Sequence, residues 1–310
     1  MPSYISHAIM GNDLFDISNK NNIFRIPITR DELRGYSLGA DLAILSNKIK
    51  KDPHNYYTQA FFLNMIKYIK ENKLNENSHV MSLLYGHIAH YFLDINIHPL
   101  VYYIEKECQK VGLIPVHHLI EGYFSSYLTK KILNKDIMDI NGDYFKEVNL
   151  LNLKCIKLLN KVYGKTYGDF TIIKSYQSVI SLFLTIEKLI KNKNCITKET
   201  LINFSKFRQF MELNNLTYND LHNESHEIYT NPVTGEKHRE SLIELYDKSL
   251  DMTIEAIKMV NEYLYNHENV DLLTKVFGDL SYDTGVKSSF GKKFIYVKKI
   301  RKKKLSFGNI

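Results

Sequence analysis

The chain has no tryptophan, three cysteines, six prolines and 14 glycines in 310 residues. So few turn-formers exclude a β-sandwich built from many short strands and favour helices. Cys108, Cys155 and Cys195 are far apart. They fit neither a disulfide framework nor a thiolate metal site, and read as buried free thiols in a reducing compartment. No run approaches the roughly 18 apolar residues of a membrane-spanning helix. The opening residues, Met1-Pro2-Ser3-Tyr4-Ile5-Ser6-His7, lack the basic start and apolar core of a secretory signal, so the expected location is cytoplasmic. There is no internal repeat and no long linker.

Charge is unevenly placed. The formal net charge is +7, yet residues 287–310 carry nine basic side chains and no acidic one, so removing them leaves −2 for residues 1–286. A near-neutral body argues against a stable nucleic-acid complex, and basicity is a property of the tail. In that tail the cations alternate with Phe290, Phe294, Ile295, Tyr296, Val297 and Ile300. This pattern suits peripheral contact with an anionic membrane, or a solvated tail or short strand packed on the body.

What the sequence does contain is helical periodicity. Phe61, Phe62, Met65, Ile66 and Ile69 share one face of a helix expected over 55–71. A second helix is expected over 78–97, ending or kinking at His98 because Pro99 disfavours helix before it and cannot donate to residue 95. Further helices are expected over 116–133, 145–162, 171–191, 197–213 and 238–267, with loops at 72–77, 134–142, 163–168 and 231–236. In the last loop, Asn231-Pro232-Val233-Thr234-Gly235 is a turn in which Pro presets φ and Gly supplies a positive one. The expected architecture is all-α: a single helical domain over 1–285 and a basic tail over 286–310.

Seven of the 12 histidines lie between residues 54 and 118. The densest segment runs from Gly86 to Pro99 and holds His87, His90, Asp94 and His98. Side chains four apart lie one turn apart on the same helical face, and at about 100° per residue His90, Asp94 and His98 fall within an arc of about 80°. His117 and Glu121 repeat the spacing on the next helix. Zinc takes neutral imidazole nitrogens and carboxylate oxygens at about 2 Å. Ionisable groups among Leu83, Leu84, Ile88, Tyr91, Phe92 and Ile95 are costly unless a metal or ion pairs compensate. A lone histidine of this kind is usually a hydrogen-bonded core residue, and a lone His-x-x-x-Asp is usually a surface ion pair. Two such pairs with His98 between them favour a metal site.

In order along the chain, His7, Asp41, His54, His90 with Asp94, His98, and His117 with Glu121 resemble the ligand pattern of the bacterial zinc-dependent phospholipase C family. Its helical core is related to the fungal single-strand-specific nucleases. The resemblance covers residues 1 to about 125. The turn at 231–235 followed by a long helix is similar to relatives of the intracellular branch. The family resemblance implies a di- or trinuclear cluster of about two or three zinc ions per chain. One zinc would take Asp41, His54, His90 and Asp94. A second would take His98, His117 and Glu121 and leave room for water. A third would take His7, the other oxygen of Asp94, and the N-terminal amine and carbonyl. The secreted enzymes expose a tryptophan as their mature first residue, whereas this chain has none. Its spacing from Asp94 to His98 is two residues shorter than theirs.

The resemblance also implies the chemistry. A metal-activated water would attack a phosphodiester such as a phospholipid, with Asp41 orienting or deprotonating the water. Two alternatives stand beside this reading: a nuclease-like phosphodiesterase on the same core, and a metal-stabilised helical protein without turnover. His87 is expected behind the ligands rather than among them. His118 should point away from the face of His117, and His222, His226 and His238 should be structural or on the surface. Tyr56, Tyr57, Tyr85 and Tyr91 flank ligands and could line a pocket, although core packing is the default for an aromatic residue this frequent.

Overall fold

The computed structural model describes residues 4–43, 52–109, 117–140, 152–168, 220–266 and 269–288. Eight α-helices account for most of them: α1 (Tyr4–Lys20), α2 (Arg30–Tyr36), α3 (Thr58–Glu71), α4 (Ser78–Gln109), α5 (His117–Leu133), α6 (Leu153–Tyr167), α7 (Leu242–Tyr265) and α8 (Val270–Val276). A 3₁₀ turn (Gly39–Ala43) and a second (Ile137–Asp139) complete the helical elements, and β1 (Tyr229–Thr230) pairs antiparallel with β2 (Lys237–His238). The protein is all-α, as its composition led us to expect. The helices expected over 171–191 and 197–213 lie outside the described residues, as does the tail from residue 289. No described helix is long and apolar enough to cross a membrane.

Helix α4 is the axis of the fold. It packs along α7 and also touches α1, α2, α3, α5 and α6. That explains why nearly every side chain from Val80 to Val101 is buried, polar or not. A helix covered on all sides has no solvent face on which to shed charged residues. The α4–α7 seam is fixed by Tyr85, whose hydroxyl donates to Asn261 Oδ1 at 2.6 Å, while Asn261 Nδ2 donates to the Ile23 carbonyl at 3.0 Å. Such satisfied buried polar links set the register of neighbouring helices. Tyr246 on α7 ties to Asp13 on α1 at 2.7 Å, and Ser6 on α1 meets Ser125 on α5 at 2.7 Å.

Three expectations need correction. Helix α4 does not stop at His98 but runs on through Pro99 to Gln109. Apolar burial on both sides, at Ile97, Leu100, Val101 and Ile104, outweighs the lost backbone bond. Helix α6 continues to Tyr167 through a stretch expected to be loop. Gly164 costs only about 1 kcal/mol in a helix, and continuation buries Tyr163 and Tyr167 against Phe61. At the other end, the helix expected from 238 begins at Leu242. Ser241 caps it in a reciprocal box with Glu244, and His238 instead pairs with Tyr229 across the 231–236 turn. The amphipathic helix α3 buries all five of its expected core residues, although it starts at Thr58 rather than 55. Cys155 is a buried free thiol, pushed up to about 12 chiefly by desolvation.

Candidate metal centre

Five chain segments converge beside the middle of α4. Helix α1 contributes His7, the 3₁₀ turn Asp41, the loop before α3 His54, α4 itself His90, Asp94 and His98, and α5 His117 with Glu121. The turn can bring Asp41 in because Gly39 lies flat against the His90 ring. Its φ is +49°, and a Cβ at that position would fall 2.4 Å from His90 Cγ. Glycine is therefore required there both for conformation and for space.

All eight residues singled out in the sequence come together, seven of them in two groups and His7 beside Asp94. In the first, Asp41 Oδ1 lies 3.0 Å from His54 Nε2 and 3.7 Å from His90 Nε2, and His90 Nε2 lies 3.2 Å from Asp94 Oδ2. One ligand atom from each of Asp41, His54, His90 and Asp94 lies within 4.8 Å of the other three. In the second group, Glu121 Oε1 stands 3.0 Å from His117 Nε2 and 3.6 Å from His98 Nε2. Ligands about 2.05 Å from a tetrahedral ion sit about 3.3 Å apart, which these separations bracket. His7 stands outside both groups, against the second oxygen of Asp94. Asp94 Oδ2 faces His90, while its Oδ1 faces His7 Nε2 at 3.4 Å and His98 Nδ1 at 4.0 Å.

The donor set passes a stricter test. Seven buried atoms at this one place have no hydrogen-bond partner among the described residues: both nitrogens of His7, Asp41 Oδ2, His90 Nε2, both oxygens of Asp94, and His98 Nε2. Buried polar atoms are rarely left so, because each costs about 1–3 kcal/mol. Their concentration at one point is what a cation-binding cage requires. Behind them, the far sides of the rings are held. His90 Nδ1 meets the Ser37 carbonyl at 3.2 Å, His98 Nδ1 the Tyr282 carbonyl at 2.7 Å, and His117 Nδ1 Glu105 Oε2 at 3.0 Å. Such contacts fix the tautomer and aim the other nitrogen at a metal.

Electrostatics follow from the crowding. Burial would raise the Asp94 carboxyl, but His90, His98 and His7 together hold it well below the usual range. The His7 imidazole is pushed down by burial and by His90. Burial also opposes protonation of His54, yet Asp41 and Asp52 outweigh it and raise that imidazole to about 10 in the metal-free protein. The same environment therefore favours a cation at this point, whether proton or metal. Tyr102, one turn beyond His98, is raised by burial and by Asp283, Glu105 and Glu121, so its hydroxyl stays protonated beside His117.

His87 belongs to neither group. Its Nδ1 bonds the Leu83 carbonyl at 2.9 Å, its ring stacks on Phe61, and burial pushes it down to about 3. Tyr85 and Tyr91 are core residues, with Tyr91 donating to the Gly278 carbonyl, whereas Tyr56 and Tyr57 are exposed. His222 is buried and stacks on Tyr127, while the side chain of His118 lies outside those described. Sequence reasoning missed Asp52, Glu105 and the segment around Tyr282 and Asp283. Asp52 and Glu105 had a weak signal, as carboxylates within 12 residues of a ligand histidine. Tyr282 acts through its backbone and had none.

A family model described as zinc dependent phospholipase C matches residues 4–168. That stretch holds all seven residues of the two groups and His7 as well. Comparison with curated proteins and with solved structures gave no match. The match spans more than half of the chain and coincides with the segments that build the cage, so the protein belongs to the zinc-dependent phospholipase C family.

Proposed function

We propose that the protein is a phospholipase C-like phosphodiesterase that hydrolyses a phosphodiester to a phosphomonoester and an alcohol. The supporting observation is the pair of ligand groups, one of four buried residues and one of three with His117 at its exposed edge. Asp41, His54, His90 and Asp94 would hold one zinc; His98, His117 and Glu121 would hold another; His7 would reach a third through Asp94 Oδ1. When bound, zinc supplies Lewis acidity that acidifies water and offsets the charge on phosphate.

The chain's own residues do the rest. Asp41 Oδ1 is engaged by His54 at 3.0 Å, which leaves Oδ2 as the oxygen that orients the attacking water and accepts its proton. His117 and Glu121 lie at the open edge, with the His117 side chain 16% exposed, and would receive the substrate phosphate. The test is zinc analysis of purified protein beside a screen of phosphocholine, nucleotide and aryl phosphodiesters. We expect roughly two or more zinc ions per chain and chelator-sensitive release of a phosphomonoester. Less than about one zinc per chain under zinc-replete conditions would contradict the reading. Preference for nucleotide diesters would move it to the nuclease-like alternative.

A further inference from the structure

The segment 279–288 lies more than a hundred residues beyond the family match, yet it is built into the metal centre. Tyr282 donates its backbone N–H to the His54 carbonyl at 2.8 Å and accepts His98 Nδ1 on its own carbonyl at 2.7 Å. One residue thus holds a ligand of each group. The Tyr282 ring packs edge-on against His54 at 5.1 Å and tilted against His90 at 5.5 Å. Its neighbours hold the loop that carries His54: Ser281 Oγ donates to Asn55 Oδ1 at 2.7 Å, and Asn55 Nδ2 donates to Asp283 Oδ2 at 2.8 Å.

The segment is itself anchored. Thr58 Oγ1 donates to the Leu280 carbonyl at 2.9 Å, Asn231 Nδ2 donates to the Thr284 carbonyl at 3.1 Å, and Leu280 bridges to Lys287. Gly285 closes it onto α4 with φ +66°, and a Cβ there would lie 2.4 Å from the Ile95 carbonyl and 3.2 Å from Pro99 Cγ. Ile95 is the residue whose carbonyl Pro99 cannot serve within the helix. The proline that fails to end α4 therefore marks the place where the segment docks.

We infer that segment 279–288 is a clamp on the metal centre, in which Tyr282 is the positioning residue that couples the two ligand groups through its backbone. The inference rests on the reading of those groups as zinc ligands. It assigns a metal-retaining role to a part of the chain that the family match does not reach. Outer contacts of this kind govern metal affinity about 10–100-fold.

The experiment measures zinc affinity by chelator competition and the visible spectrum of the cobalt(II)-loaded protein, in the full chain, for wild type, Gly285→Val, Ser281→Ala and Tyr282→Phe. Gly285→Val cannot dock the clamp and should weaken zinc about 10–100-fold, with an altered cobalt spectrum. Ser281→Ala frees the Asn55 side of the clamp and should weaken zinc several-fold. Tyr282→Phe keeps both backbone bonds and the ring, and should match wild type. A Gly285→Val protein with wild-type circular dichroism, zinc affinity and cobalt spectrum overturns the clamp. Should that variant not fold, unchanged affinity in Ser281→Ala overturns it. Wild-type protein that binds no zinc would instead defeat the metal-centre reading itself.

Discussion

The two ligand groups differ in how they face water. Asp41, His54, His90 and Asp94 are all buried, and together offer four protein ligands. His98, His117 and Glu121 offer three, with His117 only part-buried. Four protein ligands in a dry cage make a closed site, whereas three leave a coordination position for water or substrate. On the proposed reading, the first group would hold the structure and activate chemistry from behind, and the second would meet the substrate. Asp94 belongs to the first group through Oδ2 and turns Oδ1 towards His7.

Four experiments probe that division, beginning with the largest expected effect. Removing metal with a chelator should abolish hydrolysis. It should also lower the melting temperature by about 10 °C, since bound metal at 100–1,000 times its Kd contributes about 3–4 kcal/mol per site. Restoring about one zinc equivalent should recover most of the melting temperature but little activity, because the closed site fills first. Asp41→Asn should lower kcat by about 10²–10⁴-fold while the His98–His117–Glu121 group keeps its metal, as measured by zinc count beside kinetics. Equal loss of both metals would show that the groups are not separable.

Smaller effects should come from residues behind the ligands. Glu105→Gln weakens the hold on His117, so zinc affinity of the open group should fall about 10-fold with the closed group unchanged. The smallest effect is a proton count. His54 sits at about 10 in the metal-free fold against an ordinary 6.5. The stability it lends the metal-free protein is fully present below 6.5 and lost as pH rises through 10. Zinc must displace that proton, so binding at pH 8 should release about one proton from this site. Calorimetry in buffers of different ionisation enthalpy reads this number, and a value near zero would place His54 outside the site.

Much of the site was legible in the sequence because α4 is rigid and its ligands obey helical spacing. The positions of His90, Asp94 and His98, and of His117 and Glu121, follow from i, i+4 geometry once both helices are recognised. What was not legible depends on contacts distant in sequence. Helix α4 survives Pro99 because α5, α7 and the 279–288 segment surround it. Helix α1 went unrecognised because it mixes Ser6, Gly11 and Asn12 into a buried face. The Ser241–Glu244 box was readable as a helix start, yet the periodic pattern beyond it set the boundary too early. The carbonyls of Ser37 and Tyr282 that orient His90 and His98 belong to no side-chain pattern at all.

The Asp94 carboxylate, facing His90 with one oxygen and His7 with the other, is the point on which the proposed cluster turns, and zinc counting in two variants tests it directly. Asp94→Asn and Glu121→Gln are purified, dialysed identically, checked by circular dichroism and analysed for metal. A neutral amide is a poor zinc ligand, so Glu121→Gln should lose about one equivalent and keep the Asp41–His54–His90 site filled. Asp94→Asn removes a ligand from the first group and from the position it shares with His7, together with the negative charge between them, and should lose more than about one equivalent along with all hydrolysis. Equal zinc in the two variants would show that Asp94 does not bridge, and wild-type zinc in both would show that these helices carry ion pairs rather than a metal centre.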